Sequence, residues 1–210
     1  MLTTVILASV MAAAVASLLW AVRVGDRVLE VVSKATASAA FVALGLARFN
    51  PQDTVGAWLL AGLVLCAAGD LCLLRDRTFD LGLITFLLGH LVYVAGFRAA
   101  LPMGRWSVLV LAPLAIAGIG ALTWLWPHLG RRRAPVAAYV VAITAMVWGG
   151  VSATAAGALP WMAAAGAVLF YLSDLAVARQ RFVHPSFANR VLGLPTYYAG
   201  QLLLALIIGS

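Results

Sequence analysis

Two aspartates sit inside otherwise apolar stretches of this chain, and their chemistry needs explaining first. Asp70 opens the run Asp70-Leu71-Cys72-Leu73-Leu74-Arg75-Asp76-Arg77, and Asp174 opens Asp174-Leu175-Ala176-Val177-Ala178-Arg179-Gln180-Arg181. Both read D-L-x-x-x-R-x-R, at an offset of 104 residues. A carboxylate inside a membrane must be paired, neutral or water-facing, which makes it a functional candidate by default. Two carboxyl groups at one site can divide acid–base work, one protonated and one ionised. Around them stand His90, with Tyr93 one helical turn further on, and Tyr197, Tyr198 and Gln201 near the end of the chain. Lys34 is an isolated cation near the start of an apolar run.

Each of these residues also has a structural reading. The aspartates can bond a neighbouring helix, and an interhelical hydrogen bond would satisfy His90. The tyrosines can anchor at the membrane interface, and Lys34 can snorkel to the headgroups. Trp106, Trp126 and Trp161 read as interfacial belt residues. One interior histidine and two aspartates without an H-x-x-x-H partner make a poor zinc set. A His₂Asp₂ site would need His184 to fold back onto His90, Asp70 and Asp174. Cys66 and Cys72 lie in an apolar run at a spacing that fits no metal motif. The reading therefore assigns no metal and no cofactor.

Composition names the solvent of the elements that hold these groups. Of 210 residues, 64% are hydrophobic and 10% charged, with a mean hydropathy of +1.04. A soluble domain is about half apolar and a quarter charged, so a solvated globule is excluded. Two cysteines exclude a secreted disulfide scaffold. The net charge of +7 does not indicate a nucleic-acid partner, because the basic residues fall in short clusters between apolar runs. The fold expected is an all-α polytopic membrane protein in a single membrane domain, 1–210.

A spanning helix needs about 20 mostly apolar residues. That criterion predicts eight spans: 2–22, 31–46, 56–74, 81–97, 106–126, 136–156, 161–177 and 191–208. The first reads as a helix, because no Lys or Arg precedes a long apolar run. Loops after the odd-numbered spans carry 11 Lys and Arg, Lys34 included, and the remaining loops carry 3. The positive-inside rule then puts the odd loops in the cytoplasm of a bacterial-type inner membrane and both termini outside. Asp70 and Asp174 would lie about 5–6 Å inside the cytoplasmic boundary, at 1.5 Å per residue. Spans 2, 3, 4, 7 and 8 aim polar groups into that half, and spans 1, 5 and 6 receive no role. The D-L-x-x-x-R-x-R recurrence, with Arg27 and Arg131 at the same offset, is either coincidence at basic helix ends or a parallel repeat, 1–104 and 105–210.

In order along the chain, Gly69-Asp70-Leu71, His90-x-x-Tyr93, Ser173-Asp174 and Thr196-Tyr197-Tyr198-Ala199-Gly200-Gln201 resemble the YhhN-like integral membrane family, which includes the lysoplasmalogenases. The match runs along nearly the whole chain. Two positions depart from the family pattern: Ala35, not proline, follows Lys34, and Gly200 stands where a bulkier residue is expected. The resemblance implies a hydrolase that cleaves the vinyl ether of lysoplasmalogens to a fatty aldehyde and a glycerophospho-ethanolamine or -choline. It assigns Asp70 and Asp174 as the catalytic pair. Lys34, His90, Tyr93, Ser173, Tyr197, Tyr198 and Gln201 would bind the lysophospholipid substrate, whose tail would lie between helices among membrane lipids. The chemistry suits two carboxyl groups: protonation of a vinyl carbon, an oxocarbenium ion, water addition and hemiacetal collapse. The rival reading is a small lipid or metabolite transporter in which the aspartates carry protons.

Overall fold

The computed structural model describes all 210 residues. It is built of eight long helices: α1 (Leu2–Val24), α2 (Arg27–Arg48), α3 (Thr54–Cys72), α4 (Phe79–Ala100), α5 (Val108–Leu125), α6 (Arg133–Ala155), α7 (Met162–Ala178) and α8 (Phe187–Ile207). A π-helical turn, Arg179–Val183, extends α7. The apolar runs dictate the helices, because a backbone in lipid must satisfy its own hydrogen bonds. The ends follow capping chemistry. Asp26 accepts from the Leu29 amide and starts α2 at Arg27, four residues before the predicted 31. Asp53 caps α3 in the same way through Gly56.

Seven of the eight helices are long and apolar enough to cross a membrane. The exception to the predicted eight is α8, which has the length, at 21 residues, but falls short on hydropathy. Asn189, Arg190, Tyr197, Tyr198 and Gln201 dilute its apolar content. The protein is an all-α polytopic membrane protein.

Helices α1–α2, α3–α4 and α7–α8 form tightly packed hairpins, α6 lies against α4 and α7, and α8 also touches α1, α2 and α3. Lipid tails are as apolar as leucine, so close approach rather than apolar burial holds such helices together. Gly62 of α3 lets the Tyr93 ring of α4 lie against its backbone, where a Cβ would come within 2.5 Å of the ring. Helix α5 packs mainly on α6, and its Val108, Leu109 and Ile116 are exposed.

The two ends of the bundle differ. At the basic end, Arg132 Nε donates to Asp80 Oδ1 at 2.7 Å and Arg181 Nη1 to Asp76 Oδ1 at 2.7 Å. Both guanidiniums also lie over the Phe79 ring. At the other end, Arg48 donates to the Leu206 and Ile208 carbonyls. Trp126 and Trp161 are exposed as belt residues would be, but Trp106 is not: it is buried. Its indole fills the space beside Gly149 and stacks edge-on against Trp148 at 5.0 Å.

Candidate active site

Asp70 lies in the last turn of α3, which ends at Cys72 rather than at the expected 74. It is buried at the junction of α2, α3 and α8. Lys34 is a residue of α2, not of a loop, and its Nζ points inward, 3.3 Å from Asp70 Oδ1. Snorkelling is thereby ruled out for this lysine. Ser38, one turn further along α2, donates to Asp70 Oδ2 at 2.7 Å, and Tyr197 donates to the same oxygen at 2.8 Å. Tyr198 Oη stands behind, 3.3 Å from Ser38 Oγ and 3.4 Å from the Lys34 carbonyl. An ammonium and two hydroxyl donors are what a desolvated carboxylate requires.

Asp174, four residues before the end of α7, has a sparser surrounding. Tyr139 of α6 donates to its Oδ2 at 2.7 Å. His90 Nε2 approaches the same oxygen at 3.5 Å, and neither ring nitrogen of this buried histidine has a hydrogen-bond partner. No Lys or Arg touches Asp174, and its side chain keeps 17% exposure. Phe170 packs between a neighbour of each carboxyl group, with its ring 4.6 Å from that of His90 and 5.2 Å from that of Tyr197.

Both aspartates line one cavity of about 350 Å³, and Asp76, Arg181 and Arg190 line it at the basic end of the bundle, where Asp76 is open to solvent. Of the predicted site residues, Lys34, Asp70, Ser173, Asp174 and Tyr197 also line it. His90 and Tyr198 lie behind that wall. Tyr93 and Gln201 are bonded to each other at 2.8 Å, fully buried and away from the lining. His184 is exposed and does not fold back. No three His, Cys, Asp or Glu side chains come together in an arrangement that could hold a metal ion. The cavity's apolar wall comes from Leu83 and Phe86 of α4, Ala121 and Leu125 of α5, and Val140 and Ile143 of α6.

A wall of this kind beside two intramembrane carboxyl groups suits an amphiphile, and the family comparison agrees. The YhhN family profile matches residues 29–208. The chain belongs to the YhhN family. A lysoplasmalogenase of Mycobacterium tuberculosis is 33% identical over 193 residues, 86% of this chain and 70% of that protein. Human lysoplasmalogenase TMEM86B is 36% identical over 150 residues, 70% of this chain and 62% of that protein. Human lysoplasmalogenase TMEM86A is 32% identical over 177 residues, 78% and 68% of the two chains. No solved structure matches the chain.

Within this YhhN chain the sequence reading passes over two groups that touch the aspartates. Ser38 sits in the alanine-rich run Lys34-Ala35-Thr36-Ala37-Ser38, where a serine resembles any small residue at a helix seam. Tyr139 belongs to α6, a helix given no role, and near a basic helix end it resembles an interfacial anchor. A signal existed for Tyr139: it lies three residues inside the predicted span 136–156, about 4.5 Å at the α-helical rise, a depth comparable with those assigned to the aspartates. Gly200, one of the two positions expected to depart from the family pattern, has a physical reason to be glycine. Its backbone lies so close to α7 that a Cβ would come within 2.9 Å of the Gly166 carbonyl and 3.2 Å of the Phe170 nitrogen.

Proposed function

We propose that this protein is a lysoplasmalogenase that uses Asp70 and Asp174 as its acid–base pair. The observation that carries the reading is that the two repeated aspartates, from helices distant in sequence, line one amphiphilic cavity in a chain whose relatives are lysoplasmalogenases. The different surroundings of the two carboxyl groups support different roles. Asp174, with one phenol donor and no contacting cation, is the protonated acid that delivers its proton to the vinyl carbon distal to the ether oxygen. Asp70, opposite Lys34 and under two hydroxyl donors, is the carboxylate that stabilises the oxocarbenium ion and takes a proton from the adding water. Collapse of the hemiacetal returns that proton to the departing glycerol oxygen, while the aldehyde-forming hydroxyl re-protonates Asp174. The net change is addition of one water and release of aldehyde and alcohol. His90 and Tyr139 orient Asp174, Tyr198 backs Ser38, and the Tyr93–Gln201 pair braces α4 against α8. The alkenyl chain lies along the wall formed by α5 and α6.

The same proposal makes α8 an eighth span, places both termini outside and puts the cavity mouth in the cytoplasmic half. Support comes from α8's ends: Arg23 of α1 lies over Phe187 at its start, and Arg48 of α2 binds the carbonyls at its finish. A parallel repeat has further support. Gly62, Gly89, Tyr93 and Gly96 recur as Gly166, Gly193, Tyr197 and Gly200 at the aspartates' own offset. Those glycines face the α3–α4 seam in one half and the α7–α8 seam in the other.

Purified protein in detergent, given a lysoplasmalogen, tests the reading. Free aldehyde should appear without any membrane gradient. Absence of aldehyde, with substrate accumulating in proteoliposomes instead, would establish the transporter reading.

A further inference from the structure

Two guanidiniums line the cavity, and they are not equivalent. Arg181 is committed: Asp76 holds it at 2.7 Å and the Phe79 ring lies 4.2 Å beneath it. Arg190, half-buried near the start of α8, has no hydrogen bond or ion pair within the chain. The turn that carries it is fixed, because its neighbour Asn189 is buried and bonded to Arg179, Gln180 and the His184 carbonyl. A half-buried guanidinium on a rigid turn, lining the cavity with no ion-pair partner of its own, is arranged for an anion from outside the chain. Asp76, at the same mouth, uses one oxygen for Arg181 and remains 88% exposed. Its second oxygen is open to a cation.

We propose that Arg190 anchors the phosphate of a lysophospholipid headgroup and Asp76 receives its amino-alcohol cation, so that the cavity mouth selects zwitterionic lysolipids. This rests on the lysolipid reading of the cavity, and the spacing agrees with it. Arg190 and Tyr197, whose hydroxyl holds Asp70, are seven residues apart on α8, about 10 Å at the α-helical rise. In a lysoplasmalogen the phosphorus and the vinyl carbon to be protonated are seven bonds apart, about 8 Å when extended. A phosphate at Arg190 therefore sets the vinyl ether at the level of the carboxyl groups.

The test measures binding, which separates it from turnover. Saturated 1-alkyl ether lysolipids contain no vinyl ether to hydrolyse. Three are titrated into the full chain in maltoside detergent: one with phosphocholine, one with a bare phosphate monoester, and 1-alkylglycerol. Arg190→Ala should weaken both phosphate-bearing ligands about 10- to 100-fold and leave alkylglycerol unchanged, with Arg190→Lys recovering most of the loss. Asp76→Asn should weaken only the phosphocholine ligand. Inorganic phosphate should compete with the phosphocholine ligand in the wild type and lose that effect in Arg190→Ala. Equal losses for all three ligands, or none, would overturn the assignment, as would phosphate that binds Arg190 without competing. Aldehyde release from the vinyl ether substrate is scored separately, so a failed hydrolase reading and a failed headgroup subsite give different results.

Discussion

Lys34 and Asp70 stabilise the bundle only as a pair, because each would otherwise be a charge buried among helices. Lys34→Met should destabilise the protein by about 3–5 kcal/mol, the typical consequence of leaving a buried partner uncompensated. The double variant Lys34→Met/Asp70→Asn should regain much of that loss in detergent thermal unfolding. A double variant as unstable as the single would mean that the two do not interact. Tyr139→Phe removes the one hydroxyl that Asp174 accepts from. Turnover should drop about tenfold with the unfolding temperature nearly unchanged. At this scale the aspartates were legible because a charge in an apolar run is an anomaly that sequence displays by itself. Ser38 and Tyr139 were not, because each is ordinary for a membrane helix and acquires its role only when a distant helix brings a carboxylate within 2.7 Å.

The helices themselves were legible from their apolar runs, and their ends were less so. Helix α2 begins at Arg27 because Asp26 supplies a cap, a local hydrogen bond that hydropathy does not register. Its earlier start sets Lys34 seven residues into the helix rather than at its edge, in the wall of the site. Helix α8 shows the converse: the residues that build the site are the ones that lower its resemblance to a spanning segment. Packing between helices is written in glycines whose partners only the fold reveals. Gly200→Ala would press a methyl group onto the backbone of α7, where neither side can give, and should destabilise by about 1–3 kcal/mol. Gly120→Ala, in α5 with nothing within 4 Å of the added carbon, should be neutral or stabilising by up to about 1 kcal/mol. Detergent unfolding of the two variants side by side decides whether the α7–α8 seam is as close as described.

For the whole molecule, the basic end ties the loops after α3, α5 and α7 together through Arg132–Asp80, Arg181–Asp76 and Phe79. The charge asymmetry in the sequence therefore corresponds to one physical end of the bundle, where the cavity mouth lies. A reporter fused after Ser210 should read as extracytoplasmic, and one inserted beside Arg132 as cytoplasmic. The same side for both would remove α8 or another helix from the span count. The central claim is that two carboxyl groups, brought to one cavity from separate halves of the chain, act as a single acid–base unit. It is tested most directly by aldehyde release from a lysoplasmalogen by purified Asp174→Asn, Asp70→Asn and the double variant, each checked for folding by detergent thermal unfolding. Each single variant should lose at least about 10²–10⁴ in turnover, and the double variant should be no worse than either, because residues acting as a unit are strongly non-additive. A well-folded Asp174→Asn protein that turns over near the wild-type rate would contradict the account.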